Sequence, residues 1–204
     1  MDGRSERAVD GRSTRAHLLR GALAGGAMVA GGVVLAGRDG GASLAAPSKD
    51  TDSEILRLLL LLERVQAAFY EAALERAQLK GELLRYATAV GSQEREHVAH
   101  LTRRLGGRVP DPPKTDFGDA LSDPDRFRDA AIALEEATIA AYIGQGANLT
   151  RPAVASIAGL LSVEARQVAW IRDLAGVSPA PNVADPAKKP EAVLSDLRKR
   201  GFIE

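Results

Sequence analysis

The sequence predicts an all-α protein: a four-helix bundle with one long crossover and a short C-terminal helix. Three observations carry this. Hydrophobic residues make up 45% of the 204 residues and aromatics only 4%, which favours Ala- and Leu-rich helices over sheets built from aromatic and β-branched residues. Four stretches carry apolar residues spaced three and four apart, the period of one helix face. Between the second and third of them, residues 108–122 hold Pro110, Pro112, Pro113 and Gly118 and little periodicity, a connection long enough to cross a bundle. An up-and-down bundle with short loops throughout is the competing architecture, and this segment argues against it.

The first 45 residues read as an export signal. Arg4, Arg7, Arg12, Arg15 and Arg20 precede the small-residue apolar run Gly21–Ala36. That run is shorter than the roughly 20 apolar residues of a membrane span and rich in glycine. Ser43-Leu-Ala45 suits cleavage after Ala45. Residues Thr14–Gly21 resemble a twin-arginine signal, with Ala16 where the second arginine belongs. The competing readings are an Arg/Gly tail or an uncleaved anchor, the one case in which the chain would touch a membrane. The whole sequence balances 27 basic against 27 acidic residues. The leader holds Arg38 besides the five arginines above, against Asp2, Glu6, Asp10 and Asp39, so the rest is slightly acidic. No basic footprint for nucleic acid remains. The absence of cysteine excludes disulfides, thiolate metal sites and a cysteine nucleophile.

The remainder divides into a linker at 46–53, the bundle at 54–176 and an extended tail at 177–204. Asp52 or Ser53 is the expected cap of helix one, which runs through Ile55–Tyr70 to about Leu79, and Gly81 marks a turn. Helix two spans about Glu82 to Leu105 and stops at Gly106-Gly107. Asp123-Pro124 opens helix three, with proline in its first turn, and it extends to about Gly144. Pro152 plays the same part in helix four, which ends near Gly176. Four prolines keep 177–190 extended before a last short helix at 191–200. Leu58–Leu62 is apolar all round and offers a second buried face, against the tail or a second copy in a homodimer.

Each predicted inner face is interrupted near its middle by a glutamate. Helix one presents Leu56, Leu59, Glu63, Gln66 and Tyr70; helix two presents Leu83, Ala87, Val90, Glu94, His97 and Leu101. Helix three presents Ala131, Glu135, Thr138 and Tyr142; helix four presents Ile157, Leu160, Glu164, Gln167 and Ile171. Four facing carboxylates in a core repel one another or take up protons. Two divalent cations would neutralise them. The spacing agrees: a two-metal carboxylate bundle takes one Glu from each of two helices and Glu-x-x-His from each of the others. In order, the chain supplies Glu63, then Glu94 with His97, then Glu135, then Glu164 with Gln167. Five of the six ligands match, and Gln167 stands in the second histidine's place. Solvated helix positions are the duller reading of the glutamates. His100 lies about 60° around the helix from His97 and reads as outside the ligand set. Tyr70 and Tyr142 are either core aromatics or donors to a ligating Glu.

The two halves repeat. Tyr70 follows Glu63 by seven residues, as Tyr142 follows Glu135, and Glu94–His100 aligns with Glu164–Trp170. At these residues the chain resembles the ferritin-like domain family of exported bacterial proteins. The matching stretches are Leu62–Tyr70, Glu94–Leu101, Ala133–Tyr142 and Ser162–Gln167, with a closing segment at 192–203. Gln167 replaces the family's histidine, and Gln66 stands where many relatives have a second Glu. The resemblance implies a ferritin-like bundle with a di-iron or di-manganese centre and ferroxidase- or peroxide-type redox activity. Within that expectation Glu94 and Glu164 bridge the metals, Glu63 and Glu135 are terminal and His97 fixes one ion. The Gln167 replacement predicts asymmetric occupancy or a single ion. A non-enzymatic module whose site has partly decayed is the rival, and cage-type iron storage is a weaker third.

Overall fold

The computed structural model describes residues 46–107 and 109–204; the expected export signal, residues 1–45, lies outside them. Among the described residues, five α-helices make the fold: α1 Lys49–Arg76, α2 Gly81–Leu105, α3 Pro124–Gly146, α4 Arg151–Leu174 and α5 Pro190–Lys199, with a 3-10 turn at Gly118–Leu121. Helices α1 and α2 pack as one pair and α3 and α4 as another, while α1 meets α3 and α2 meets α4. Two short links and one long crossover therefore join two hairpins, as the loop signals predict.

Most helix ends follow local chemistry. Asp123 caps α3, its carboxylate accepting the amides of Asp125 and Arg126 at 3.0 Å each. These bonds hold its carboxyl below the usual carboxylate range. Pro124 and Pro152 sit in the first turns of α3 and α4, and α2 ends at Gly106 in the left-handed conformation.

The start of α1 differs from expectation. Ser48 is the cap, accepting the Thr51 amide at 3.1 Å, so the helix begins inside the expected linker. Asp52 is instead committed to a distant partner, accepting the Thr150 amide at 2.8 Å and its hydroxyl at 2.6 Å. That fastens the start of α1 to the α3–α4 link. Gly81 opens α2 rather than lying in the turn before it.

Two glycines permit close approaches. A Cβ on Gly91 of α2 would meet Tyr70 Cβ at 3.0 Å, so the first helix pair packs tightly beside Tyr70. A Cβ on Gly144 of α3 would collide with the Lys188 carbonyl. There the tail crosses the helix, with the Lys188 amide donating to the Ala140 carbonyl at 3.0 Å.

The tail then closes one end of the bundle. Val193, Leu197, Phe202 and Ile203 are buried, and Ile203 forms an antiparallel bridge with Thr115 of the crossover. Phe202 packs on Phe117 at 5.7 Å and on Phe69 at 6.4 Å between ring centroids, and Phe69 stacks on Phe127 at 5.5 Å. The four phenylalanines are thus concentrated where crossover, tail and bundle meet.

Candidate metal centre

Every carboxylate assigned to an inner face lies in the core: Glu63, Glu94, Glu135 and Glu164 are each 0% exposed. Gln66 and Gln167 are buried with them, and His97 is nearly so. Helical periodicity aims these side chains inward, and packing the two hairpins face to face brings them together.

One side of the cluster has the composition of a metal site. Glu63 of α1, Glu94 and His97 of α2 and Glu164 of α4 each offer one ligand atom, all within 4.8 Å of one another. His97 Nδ1 bonds Glu63 Oε2 at 3.1 Å. It also lies 2.9 Å from Glu164 Oε1 and 3.6 Å from Glu94 Oε2. A single ring N–H serves one of these acceptors well, and Glu94 Oε2 and Glu164 Oε1 are left buried without a hydrogen bond. Buried carboxylate oxygens without partners cost several kcal/mol, and a cation between them removes that cost. The oxygen and imidazole donors suit a divalent first-row metal, so these residues fit one.

The other side is organised differently. Tyr70 of α1 donates to Glu135 Oε1 across the bundle, and Gln66 Nε2 donates to Glu135 Oε2 at 3.0 Å. Reciprocally, Tyr142 of α3 donates to Glu63 Oε1 at 2.5 Å. The tyrosine seven residues after each glutamate therefore serves the glutamate of the opposite hairpin. Gln167 Nε2 donates to Glu94 Oε1 at 2.7 Å and to Gln93 Oε1 at 3.0 Å. Of the six expected ligands, four converge, while Glu135 and Gln167 stand beside them in hydrogen bonds.

The titration behaviour follows from burial and crowding. Burial, then the charges of Glu164 and Glu63, pushes Glu94 well above the usual carboxylate range. Glu135 is raised likewise, by burial first and by the Glu164 charge second. Glu164 is pushed up to about 7, by burial and then by Glu63, against the pull of His97. Burial alone would lower His97, but the carboxylates of Glu164, Glu63 and Glu94 crowded around its Nδ1 push it up to about 12. Tyr70 and Tyr142 are raised too, through burial and then the facing carboxylates, so both remain hydroxyl donors. Protons thus do part of the work that a cation does in a metal-loaded cluster.

Two participants, Tyr86 and Gln93, are not among the residues the spacing singles out, and Thr138, placed on an inner face by its spacing, makes a bond that the spacing does not foretell. Tyr86 lies behind Tyr70, hydroxyl to hydroxyl at 2.9 Å; one helical turn before Val90 on the inner face of α2, it had the right spacing to be found. Thr138 donates to Gln66 Oε1 at 2.7 Å, a pairing between helices that no spacing encodes. Gln93 neighbours Glu94 in sequence and gave no signal. His100 bonds Ser156 of α4 at 3.0 Å, away from the four ligand atoms, as its helix angle predicts.

Residues 51–177, well over half of the chain, match the ferritin-like domain family. Among curated proteins, none matches the chain. The match spans all four bundle helices and each of the buried glutamates, and with the fold and the carboxylate–imidazole cluster in place the chain belongs to the ferritin-like domain family.

Proposed function

We propose that this protein is an exported ferritin-like protein that binds divalent iron or manganese in its core and uses it in redox chemistry with dioxygen or peroxide. The observation that carries the reading is the convergence of Glu63, Glu94, His97 and Glu164 with two carboxylate oxygens left unpartnered. Iron or manganese held there supplies one-electron redox chemistry. The chain's own residues bind and orient the ion. Glu94 and Glu164 supply the unpartnered oxygens, and His97 presents Nδ1 between them. Tyr142 holds Glu63 in place through its hydroxyl. The apolar residues around the cluster exclude bulk water. Export rests on the Arg-bearing leader alone.

Loading the purified protein anaerobically with Fe(II) and desalting it should leave iron bound, and Glu94→Ala should abolish retention. Metal analysis that finds no iron in either protein refutes the proposal.

A second reading, a module that kept the fold and lost the chemistry, is favoured by one observation. The Gln167 amide donates to Glu94 Oε1, occupying an oxygen that a histidine ligand would leave to a metal. On that reading Gln167→His confers strong metal binding and oxidase activity on an inert parent.

A further inference from the structure

Around Glu135 the cluster is furnished with hydrogen-bond donors where a second ion would need acceptors. Thr138 donates to Gln66 Oε1 at 2.7 Å and braces the amide, whose orientation the facing carboxylates set. Turned over, that amide would set its oxygen against two carboxylates. Its Nε2 group therefore faces Glu135 Oε2 at 3.0 Å and Glu164 Oε2 at 3.4 Å, lying between the two carboxylates. Tyr70 occupies the remaining oxygen of Glu135, backed by Tyr86. Both Glu135 oxygens are thus taken by neutral donors. Gln167 spends its Nε2 group on Gln93 and Glu94, and its free Oε1 is a neutral, weak ligand. On the His97 side, by contrast, the unpartnered oxygens belong to carboxylates.

We propose that this chain holds one divalent ion, among Glu63, Glu94, His97 and Glu164, and that the Gln66 amide, braced by Thr138, takes the place of a second ion between Glu135 and Glu164. The inference rests on the metal-binding reading above and adds to it the stoichiometry and the residue that sets it. An amide at this position compensates the carboxylates by hydrogen bonding without bringing charge, so it needs fewer carboxylates around it than a second cation does.

The test is an anaerobic titration of the metal-free protein with Co(II), read by equilibrium dialysis and native mass spectrometry. The parent should bind one ion per chain, and the double variant Gln66→Glu with Gln167→His should bind two. Two ions of comparable affinity in the parent overturn this inference and leave the metal-binding reading standing. One ion in both proteins overturns the role given to Gln66. No ion in the parent refutes the metal-binding reading and this inference with it. Because a fifth buried carboxylate can prevent folding, isosteric single variants provide a second arm. Glu135→Gln should retain the ion, whereas Glu63→Gln should weaken it by more than about 100-fold. Equal loss in the two variants overturns the assignment.

Discussion

The two hairpins are copies in outline and opposites in chemistry. In α1–α2, Glu63, Glu94 and His97 gather ligand atoms at one point, joined by Glu164 from the other hairpin. In α3–α4, the equivalent positions are Glu135, Glu164 and Gln167, and there Glu135 and Gln167 are absorbed into hydrogen bonds with Tyr70, Gln66, Gln93 and Glu94. The repeat extends to the tyrosines, each serving the other hairpin's glutamate. It fails three residues beyond the glutamates of α2 and α4, at His97 and Gln167, and again six residues beyond the same glutamates. His100 bonds Ser156, whereas its counterpart Trp170 packs edge-on against Tyr86 at 5.2 Å. A duplicated scaffold can therefore keep its backbone and its buried glutamates while one half exchanges ligand atoms for donors. Amides and hydroxyls can meet the hydrogen-bonding demand of buried carboxylates, although they bring no charge to offset theirs.

This asymmetry makes the halves unequal under mutation. The largest effect is expected at the paired positions His97 and Gln167. His97→Gln, which makes the halves alike, should weaken Co(II) binding by more than about 100-fold, while Gln167→Ala should change it by about tenfold or less. Equal losses by equilibrium dialysis would break the comparison.

A pH effect of intermediate size should separate the metal-free and loaded proteins. Glu164, at about 7, and His97, at about 12, both bind protons more tightly folded than unfolded. Their contribution to stability is complete below the unfolded values and is lost as pH rises, between about 4.5 and 7 for Glu164 and from about 6.5 upward for His97. Metal-free protein should therefore lose on the order of 3 kcal/mol between pH 4.5 and 7 from Glu164 alone. Loaded protein should gain stability over the same interval, because an ion competes with those protons. Urea unfolding at several pH values, with chelator and with Mn(II), measures both slopes. Parallel slopes would show that the protons and the ion do not share these groups.

The smallest effect sharpens the tyrosine comparison. Tyr142→Phe frees Glu63, a ligand on the proposed reading, and should weaken metal binding by about tenfold. Tyr70→Phe frees Glu135 and should leave binding within about threefold, while costing about 1–3 kcal/mol of stability through the buried carboxylate oxygen it exposes. The reverse ranking would place the ion on the Glu135 side.

Much of the centre was legible because a helix converts spacing into direction. Glu63, Glu94, Glu135 and Glu164 were assigned inner faces from the three-and-four pattern, and all four are buried. Pro124 and Pro152 announced two helix starts, and Gly106 one helix end. Asp52 was misread because a capping residue and a distant hydrogen-bond acceptor look alike in sequence. Its partner Thr150 lies in the link between the other two helices. The crossover gave no periodic signal, since its order comes from Phe117 and Leu121 packing into the bundle end and Thr115 pairing with Ile203.

By itself the sequence determined the helical fold, its long crossover, the buried row of glutamates and the doubled motif, since each follows from local periodicity and residue type. Only the tertiary structure decided which carboxylates converge on His97 and which are claimed by Tyr70 and Gln66. That choice depends on hydrogen bonds between atoms on different helices, a few tenths of an ångström at a time, and no pattern along a single strand of residues specifies such distances.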